Sequence, residues 1–199
     1  MSDTQIPEAS TRSFSKHLYW VTAAIVVVDQ LTKLLIKGAS VFGFPGMPLH
    51  SSKPFIDDIL RITYVENPGI AFGINFPALK VFFSIFSGIA AIAIFVYLER
   101  NGSKLHKWDR LGLVMIMGGA IGNLIDRCFY GVIFGEERLF YGHVVDFLDF
   151  GYKTNWWPVF NIADSAVTVG VSILVLSMLL RKPVTVEPAG ASESQKQVN

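Results

Sequence analysis

Cysteine is all but absent: Cys128 stands alone, which excludes an intrachain disulfide framework and a thiolate metal cluster. That thiol is read as a packing residue. Charge is scarce as well. Only 17% of the 199 residues are charged and the net charge is +1, so the basic field that nucleic-acid binding requires is missing and no nucleic-acid partner is expected. The histidines, His17, His50, His106 and His143, have no HExxH-like spacing, which argues against a zinc peptidase, and no Gly-x-Ser-x-Gly elbow occurs. Neither a metal nor a cofactor is expected.

Apolar residues, in contrast, are abundant. At 51% hydrophobic content with positive mean hydropathy, the composition is that of a membrane protein. Four stretches meet the roughly 20 helical residues needed to cross a bilayer, near 18–37, 77–98, 111–133 and 157–180. Gly38-Ala39-Ser40 follows the first, so a cleaved signal peptide is an open reading there. Asp29, Gln30 and Lys33 inside the run speak against it. The chain reads as one membrane domain over 1–183, with a polar head before 18 and a disordered tail over 184–199.

Lysine and arginine placement sets the orientation. Arg100, Lys104, Lys107 and Arg110 crowd the linker between spans two and three, Arg12 and Lys16 precede span one, and Arg181 and Lys182 follow span four. Both termini are therefore expected in the cytoplasm, with 38–76 and 134–156 on the outer side.

An ionisable group within a span is disfavoured by about 2.5–3.5 kcal/mol on insertion scales, which makes each one a candidate functional residue. With a rise of about 1.5 Å per residue, Asp29 lies about 17 Å above the cytoplasmic entry and Lys33 one turn further. Asn123, Asp126 and Arg127 lie about 18–24 Å up, and Asn161 and Asp164 about 6–10 Å below the outer surface. All meet at one level. Asp29 and Lys33 are spaced to pair along one helix, while Asn123 with Asp126, and Asn161 with Asp164, each share a helix face. Gly118, Gly119 and Gly122 give span three a thin surface for a close neighbour.

Polar clusters in bundles also act as glue between helices, and for Asp29 with Lys33 and Asp126 with Arg127 that reading stands beside the functional one. Asp164 differs, having no basic residue within its own helix turn. Asp146 ends the run Gly142-His143-Val144-Val145, which returns the chain to the outer surface just before span four. Two carboxylates brought together there cannot both ionise readily, so one keeps its proton while the other takes one from water. The pair Asp146 and Asp164 would then supply acid and base for peptide hydrolysis without a metal.

Five segments carry a resemblance to a known family. They are Asp29-Gln30-Leu31-Thr32-Lys33, Glu66-Asn67-Pro68-Gly69-Ile70-Ala71-Phe72-Gly73, Gly122-Asn123-Leu124-Ile125-Asp126-Arg127, Val144-Val145-Asp146-Phe147 and Phe160-Asn161-Ile162-Ala163-Asp164-Ser165. In this order they resemble the lipoprotein signal peptidases (signal peptidase II). The resemblance implies an aspartic endopeptidase of the bacterial inner membrane that removes the signal peptide from diacylglyceryl-modified prolipoproteins, on the N-terminal side of the lipidated cysteine. It implies Asp146 and Asp164 as the catalytic pair, and Asn67, Asn123, Arg127 and Asn161 as groups holding the substrate backbone and that pair. Asp29, Lys33 and Asp126 become supporting positions.

The fold implied is membrane all-α, four transmembrane helices with a small extracytoplasmic β-like cradle between helices 1 and 2. From the residues alone, Leu60 to Val65, the turn Asn67-Pro68-Gly69 and a second apolar run read as a hairpin, and a merely structural surface hairpin is the plainer alternative. Lipid-modified prolipoproteins and membrane lipid are the expected partners, with the chain acting as a monomer and its active site near the outer face. One departure from the family is the segment Gly131 to Gly142, which holds about eleven extra residues. This aromatic, amphipathic insertion is expected at the outer interface, shaping substrate entry. Rival readings are a transporter or proton relay using the intramembrane acids, a scaffold in which polar groups only join helices, and another type of intramembrane aspartyl protease.

Overall fold

The computed structural model describes residues 16–39, 43–56, 59–69 and 77–181. Arg12, Lys182, the tail, and the apolar run after Gly69 that was expected to complete a hairpin all lie outside the described residues. Among those described, four helices are long and apolar enough to cross a membrane: Lys16–Lys37, Val81–Asn101, Lys107–Ile133 and Ile162–Leu179. The first contains α1 (Tyr19–Lys37) and the second belongs to α2 (Pro77–Asn101). The third joins α3 (Lys107–Ile125), a π-helical turn (Asp126–Tyr130) and a short α4 (Gly131–Ile133), and the fourth is α5 (Ile162–Leu179).

Two of these boundaries depart from expectation. The last helix starts at Ile162, not near 157, because Pro158 interrupts the chain, Phe160 bridges to Leu148, and Asn161 caps the helix from outside it. The third starts earlier than expected, since Lys107 to Arg110 form its first turn.

A four-stranded antiparallel sheet accompanies the helices, in the order β1 (Ser52–Ile56), β2 (Leu60–Asn67), β3 (Val144–Tyr152), β4 (Asn155–Trp156). Only its first two strands come from between α1 and α2. The other two precede α5, so β2 finds partners on both sides, β1 and β3. The β2–β3 register sets Val65 opposite Asp146 and Asn67 opposite Val144. That register brings the Asn67 turn beside Asp146.

Among the described residues the polar groups of the spans are packed inward, together with apolar residues such as Leu98, Val114 and Val145. Leu31, Leu35, Phe86, Ile89, Ile92, Leu176 and Leu179 are exposed, as lipid-facing residues should be, while Asp29, Lys33, Asp126 and Asn161 are 0% exposed. Apolar burial does not drive helix association in lipid, so close backbone approach and interhelical hydrogen bonds must do so. The glycines of α3 allow it on two faces. A Cβ at Gly118 would stand 3.1 Å from Ile25 and one at Gly122 2.6 Å from Asp29 Oδ2, both toward α1. One at Gly119 would stand 2.3 Å from the Ala163 carbonyl oxygen, toward α5.

Gly119→Ala is therefore expected to push α5 away and destabilise the protein by about 1–3 kcal/mol, as overpacking does. Gly88→Ala on α2 meets only Leu124 at 3.7 Å and should be neutral or stabilising through its better helix propensity. Unfolding of the two variants in detergent, followed by helical circular dichroism, checks both. Equal loss in both would detach the effect from the α3–α5 approach.

Candidate active site

Lys33 organises the interior. Its ammonium has three N–H donors and three acceptors surround it: Asp29 Oδ2 at 2.8 Å, Asp126 Oδ2 at 2.7 Å and Asn123 Oδ1 at 2.9 Å. The expected pairing of Asp29 with Lys33 along α1 is present. Asp126 pairs with Lys33 and not with Arg127, because the π-helical turn aims its carboxylate at α1. Arg127 instead donates to the Asn123 carbonyl at 3.4 Å and makes no ion pair with Asp146 or Asp164.

The two supporting acids hold the elements that carry the other two. Asp29 Oδ1 accepts from the backbone N–H of Ala163 at 2.9 Å, in the first turn of α5. Asp126 Oδ2 accepts from the backbone N–H of Val145 at 3.2 Å, next to Asp146 on β3. One lysine thus fixes, through two carboxylates, the backbone on either side of the site.

Asn161 completes the bridge. As N-cap of α5 its Oδ1 accepts from the Asp164 N–H at 2.9 Å, while Asp164 Oδ2 accepts from the Asn161 N–H at 3.3 Å. This is a reciprocal capping box. The pair was expected to share a face within a helix; the capping geometry replaces that, because the helix begins only after Asn161. Its Nδ2 donates to Asp146 Oδ1 at 2.7 Å and to Asn123 Oδ1 at 3.1 Å. Asn123 Nδ2 donates to Asp164 Oδ1 at 2.7 Å, and Asn67 Nδ2 to Asp146 Oδ2 at 3.1 Å. Asn67 is itself held by the Gly69 N–H on its Oδ1, in a turn where Gly69 has φ +82°.

Asp146 and Asp164 are joined through Asn161, with no direct hydrogen bond between them. Burial pushes the Asp146 carboxyl up to about 7, and the charge of Asp164 adds to the rise, against the opposing bonds from Asn67 and Asn161 and the charge of Lys33. Asp146 is 3% exposed, whereas Asp164 lines a cavity of about 460 Å³ with Trp157, Phe160, Ser165, Thr168 and Val169. The arrangement offers a proton-holding acid beside a second carboxylate that reaches an open, largely apolar space.

Asn161→Ala removes the cap and the link at once. The expected loss is about 0.5–2 kcal/mol from the cap alone, with a larger fall in activity than Asn67→Ala, which detaches a single bond to Asp146. Parallel melting and cleavage assays on both variants check this order.

Several contributors escaped the sequence reading. Gln30 donates to Asp126 Oδ1 at 2.8 Å and to the Gly122 carbonyl at 3.1 Å, and accepts from Tyr130 at 3.1 Å. Its place inside an apolar run was the available signal. Lys37, at the end of α1, contacts Glu66 of β2 and Glu136 of the insertion, the latter at 2.8 Å. Its ammonium also lies 4.6 Å from the ring centroid of Phe134. His143, Lys37 and Tyr64 hold Glu66 down at about 2 against the opposing effect of burial. The insertion is thereby tied to α1 and the sheet, and Phe134 packs on the buried Tyr64, Tyr130 and Val145 cluster.

The profile of the signal peptidase (SPase) II family matches residues 21–180. A lipoprotein signal peptidase from Desulfitobacterium hafniense (strain DCB-2) is 41% identical over 165 residues, 82% of this chain and 93% of that protein. One from Geobacter metallireducens is 39% identical over 163 residues, covering 80% and 88%, and one from Desulforapulum autotrophicum 34% over 165 residues, covering 81% and 91%. A solved structure, described as a bacterial membrane enzyme at 1.9 Å resolution, is similar with TM-score 0.67 and 28% identity, covering 86% of this chain and 98% of that one.

Proposed function

The chain belongs to the signal peptidase II family, and on that premise we propose that it removes signal peptides from diacylglyceryl-modified prolipoproteins by aspartic catalysis at Asp146 and Asp164. The observation that carries the catalytic reading is the Asn161 bridge, which bonds Asp146 with its side chain and Asp164 with its backbone. Family membership makes the protein a bacterial membrane peptidase. The relay alternative finds no support, since its relatives are peptidases along most of their length.

In the proposed mechanism Asp164, facing the cavity, takes a proton from water as the water oxygen attacks the scissile carbonyl carbon. Asp146 gives its proton to the carbonyl oxygen, so the tetrahedral intermediate forms as a neutral gem-diol. On collapse, Asp146 recovers a proton from one gem-diol hydroxyl. Asp164 passes its own to the leaving nitrogen, and the C–N bond breaks.

Lys33, Asp29 and Asp126 act as positioning residues, holding the backbone beside each acid. Asn67 and Asn123 orient the carboxyl oxygens, and Arg127, without an ion pair of its own to either acid, is left to meet the substrate backbone. The basic flanks set both termini in the cytoplasm, which puts the sheet at the outer face as a cradle over the site. A lipidated cysteine would anchor the scissile bond at that level, within reach of the cavity beside Asp164.

The test supplies the purified protein in detergent with a prolipoprotein, either carrying diacylglycerol on its lipobox cysteine or lacking it. Cleavage only of the lipidated form, unaffected by a chelator, is the expected result. Cutting of both forms equally would overturn the substrate assignment.

A further inference from the structure

At the end of the bundle away from the sheet, two cavities adjoin. One, of about 620 Å³, is lined by Ser103, Leu105 and His106 with the cations of Lys104, Lys107, Arg110 and Arg181. The other, of about 540 Å³, is an apolar groove between α3 and α5 containing Trp108, Ile173, Leu176 and Leu180. They share His106 and Arg181.

Arg181 is the hinge of this region. Its guanidinium is fixed by Asp109 and, at 3.0 Å, by Ser177 Oγ, so it stands at the boundary of the two spaces instead of sweeping through solvent. Asp109 is the acid facing this cluster; Arg181 takes its Oδ2, while its Oδ1 is buried without a hydrogen-bond partner. Lys104, Lys107 and Arg110 make no ion pair among the described residues. The Arg110 Nε is sealed from solvent and lacks a hydrogen-bond partner. His106, the N-cap of α3, gives no side-chain cap bond to the first-turn N–H groups. The site therefore collects positive charge at the mouth of an apolar furrow, where the Lys107 ammonium lies 5.2 Å from the ring centroid of Trp108.

We propose that this double cavity binds one anionic phospholipid, its phosphate among Lys104, Lys107 and Arg110 and an acyl chain along Trp108, Ile173, Leu176 and Leu180. Charge complementarity selects the headgroup, and the furrow selects a lipid over a free anion. Basic pockets between transmembrane helices take such headgroups, with about 1 kcal/mol, or fivefold in affinity, for each lysine or arginine near the surface. The inference does not depend on the peptidase reading, because no residue of the acid pair or its support takes part.

The full chain is placed in phosphatidylcholine bilayers containing a small fraction of phosphatidylglycerol with brominated acyl chains. Subtracting the Trp108→Phe signal isolates Trp108 fluorescence, which bromine quenches on contact. Quenching at several-fold lower mole fraction than with brominated phosphatidylcholine is expected, weakened about fivefold by each of Lys104→Gln and Arg110→Gln. Equal quenching by the two lipids in the wild type overturns the proposal without reliance on any variant. Loss of the preference in millimolar inorganic phosphate also overturns it, assigning the pocket to a free anion. Cleavage of prolipoprotein by the two variants should stay at the wild-type rate, so failure of either reading is separately visible.

Discussion

Asp164→Asn should remove prolipoprotein cleavage, lowering kcat/KM by about 10²–10⁴-fold, the range that general acid–base groups contribute, while the protein still folds. The variant keeps its size and the cavity that Asp164 lines, but an amide at this position takes no proton from water. Its structural price is limited to one of the two hydrogen bonds that the carboxylate accepts. An amide oxygen can still accept from either Asn123 or the Asn161 N–H, and loss of the other bond is worth about 1 kcal/mol. Asp146→Asn should abolish cleavage to a similar degree, since in the proposed mechanism Asp146 donates the proton to the scissile carbonyl oxygen. Activity within a few-fold of wild type in either variant removes that residue from the chemistry, and a circular dichroism melt shows whether a dead variant is also unfolded.

Lys33→Met is the substitution expected to damage the fold most. It leaves Asp29 and Asp126 facing one another with no cation between them, each 0% exposed. Removing one partner of a buried ionic group typically destabilises by about 3–5 kcal/mol. Both acids also hold backbone, at Ala163 and Val145, so the first turn of α5 and strand β3 should loosen together. Adding Asp126→Asn to Lys33→Met removes one of the stranded charges and should recover part of the loss. Denaturant unfolding of the two single variants and the double completes the cycle. If Lys33→Met melts with the wild type, the central ionic cluster is not what positions the acids.

The reach of the sequence follows from where polarity is expensive. Asp29, Lys33, Asn123 and Asp126 were readable because a charge or amide inside a span is disfavoured in lipid and must find a partner. Asp146, outside any span, was readable through its place before the last span and through the segment Val144-Val145-Asp146-Phe147 that carries the family resemblance. Lys37, Glu66, Glu136 and His143 gave no comparable signal: at a helix end, on an outer strand or in a loop a charge can be solvated without a partner, so nothing in the sequence marks which will converge. Asn161 is the instructive case. Asn-x-x-Asp is a capping pattern, yet a span drawn from apolar length alone began at 157 and enclosed it. The capping role, and with it the bridge between the acids, emerged only when Pro158 and the Phe160–Leu148 pairing placed the helix start at Ile162. The sheet was half legible for a related reason, since the partner of β2 lies 79 residues away from Asn67 at Asp146, a separation that no local pattern encodes.

The acid pair itself is tested most directly by the pH dependence of kcat/KM on a diacylglyceryl-modified prolipoprotein. Asp146, raised from 3.8 to about 7 by burial and by Asp164, donates only while protonated, so the rate should fall as pH rises through about 7. Stability runs the same way: between about 4 and 7 the folded state binds a proton that the unfolded chain releases, and the resulting stabilisation is lost as pH approaches 7. An alkaline limb centred near 7 is the predicted result. A rate that stays level from pH 6 to beyond 8.5, on the same folded protein, would contradict a proton held at Asp146.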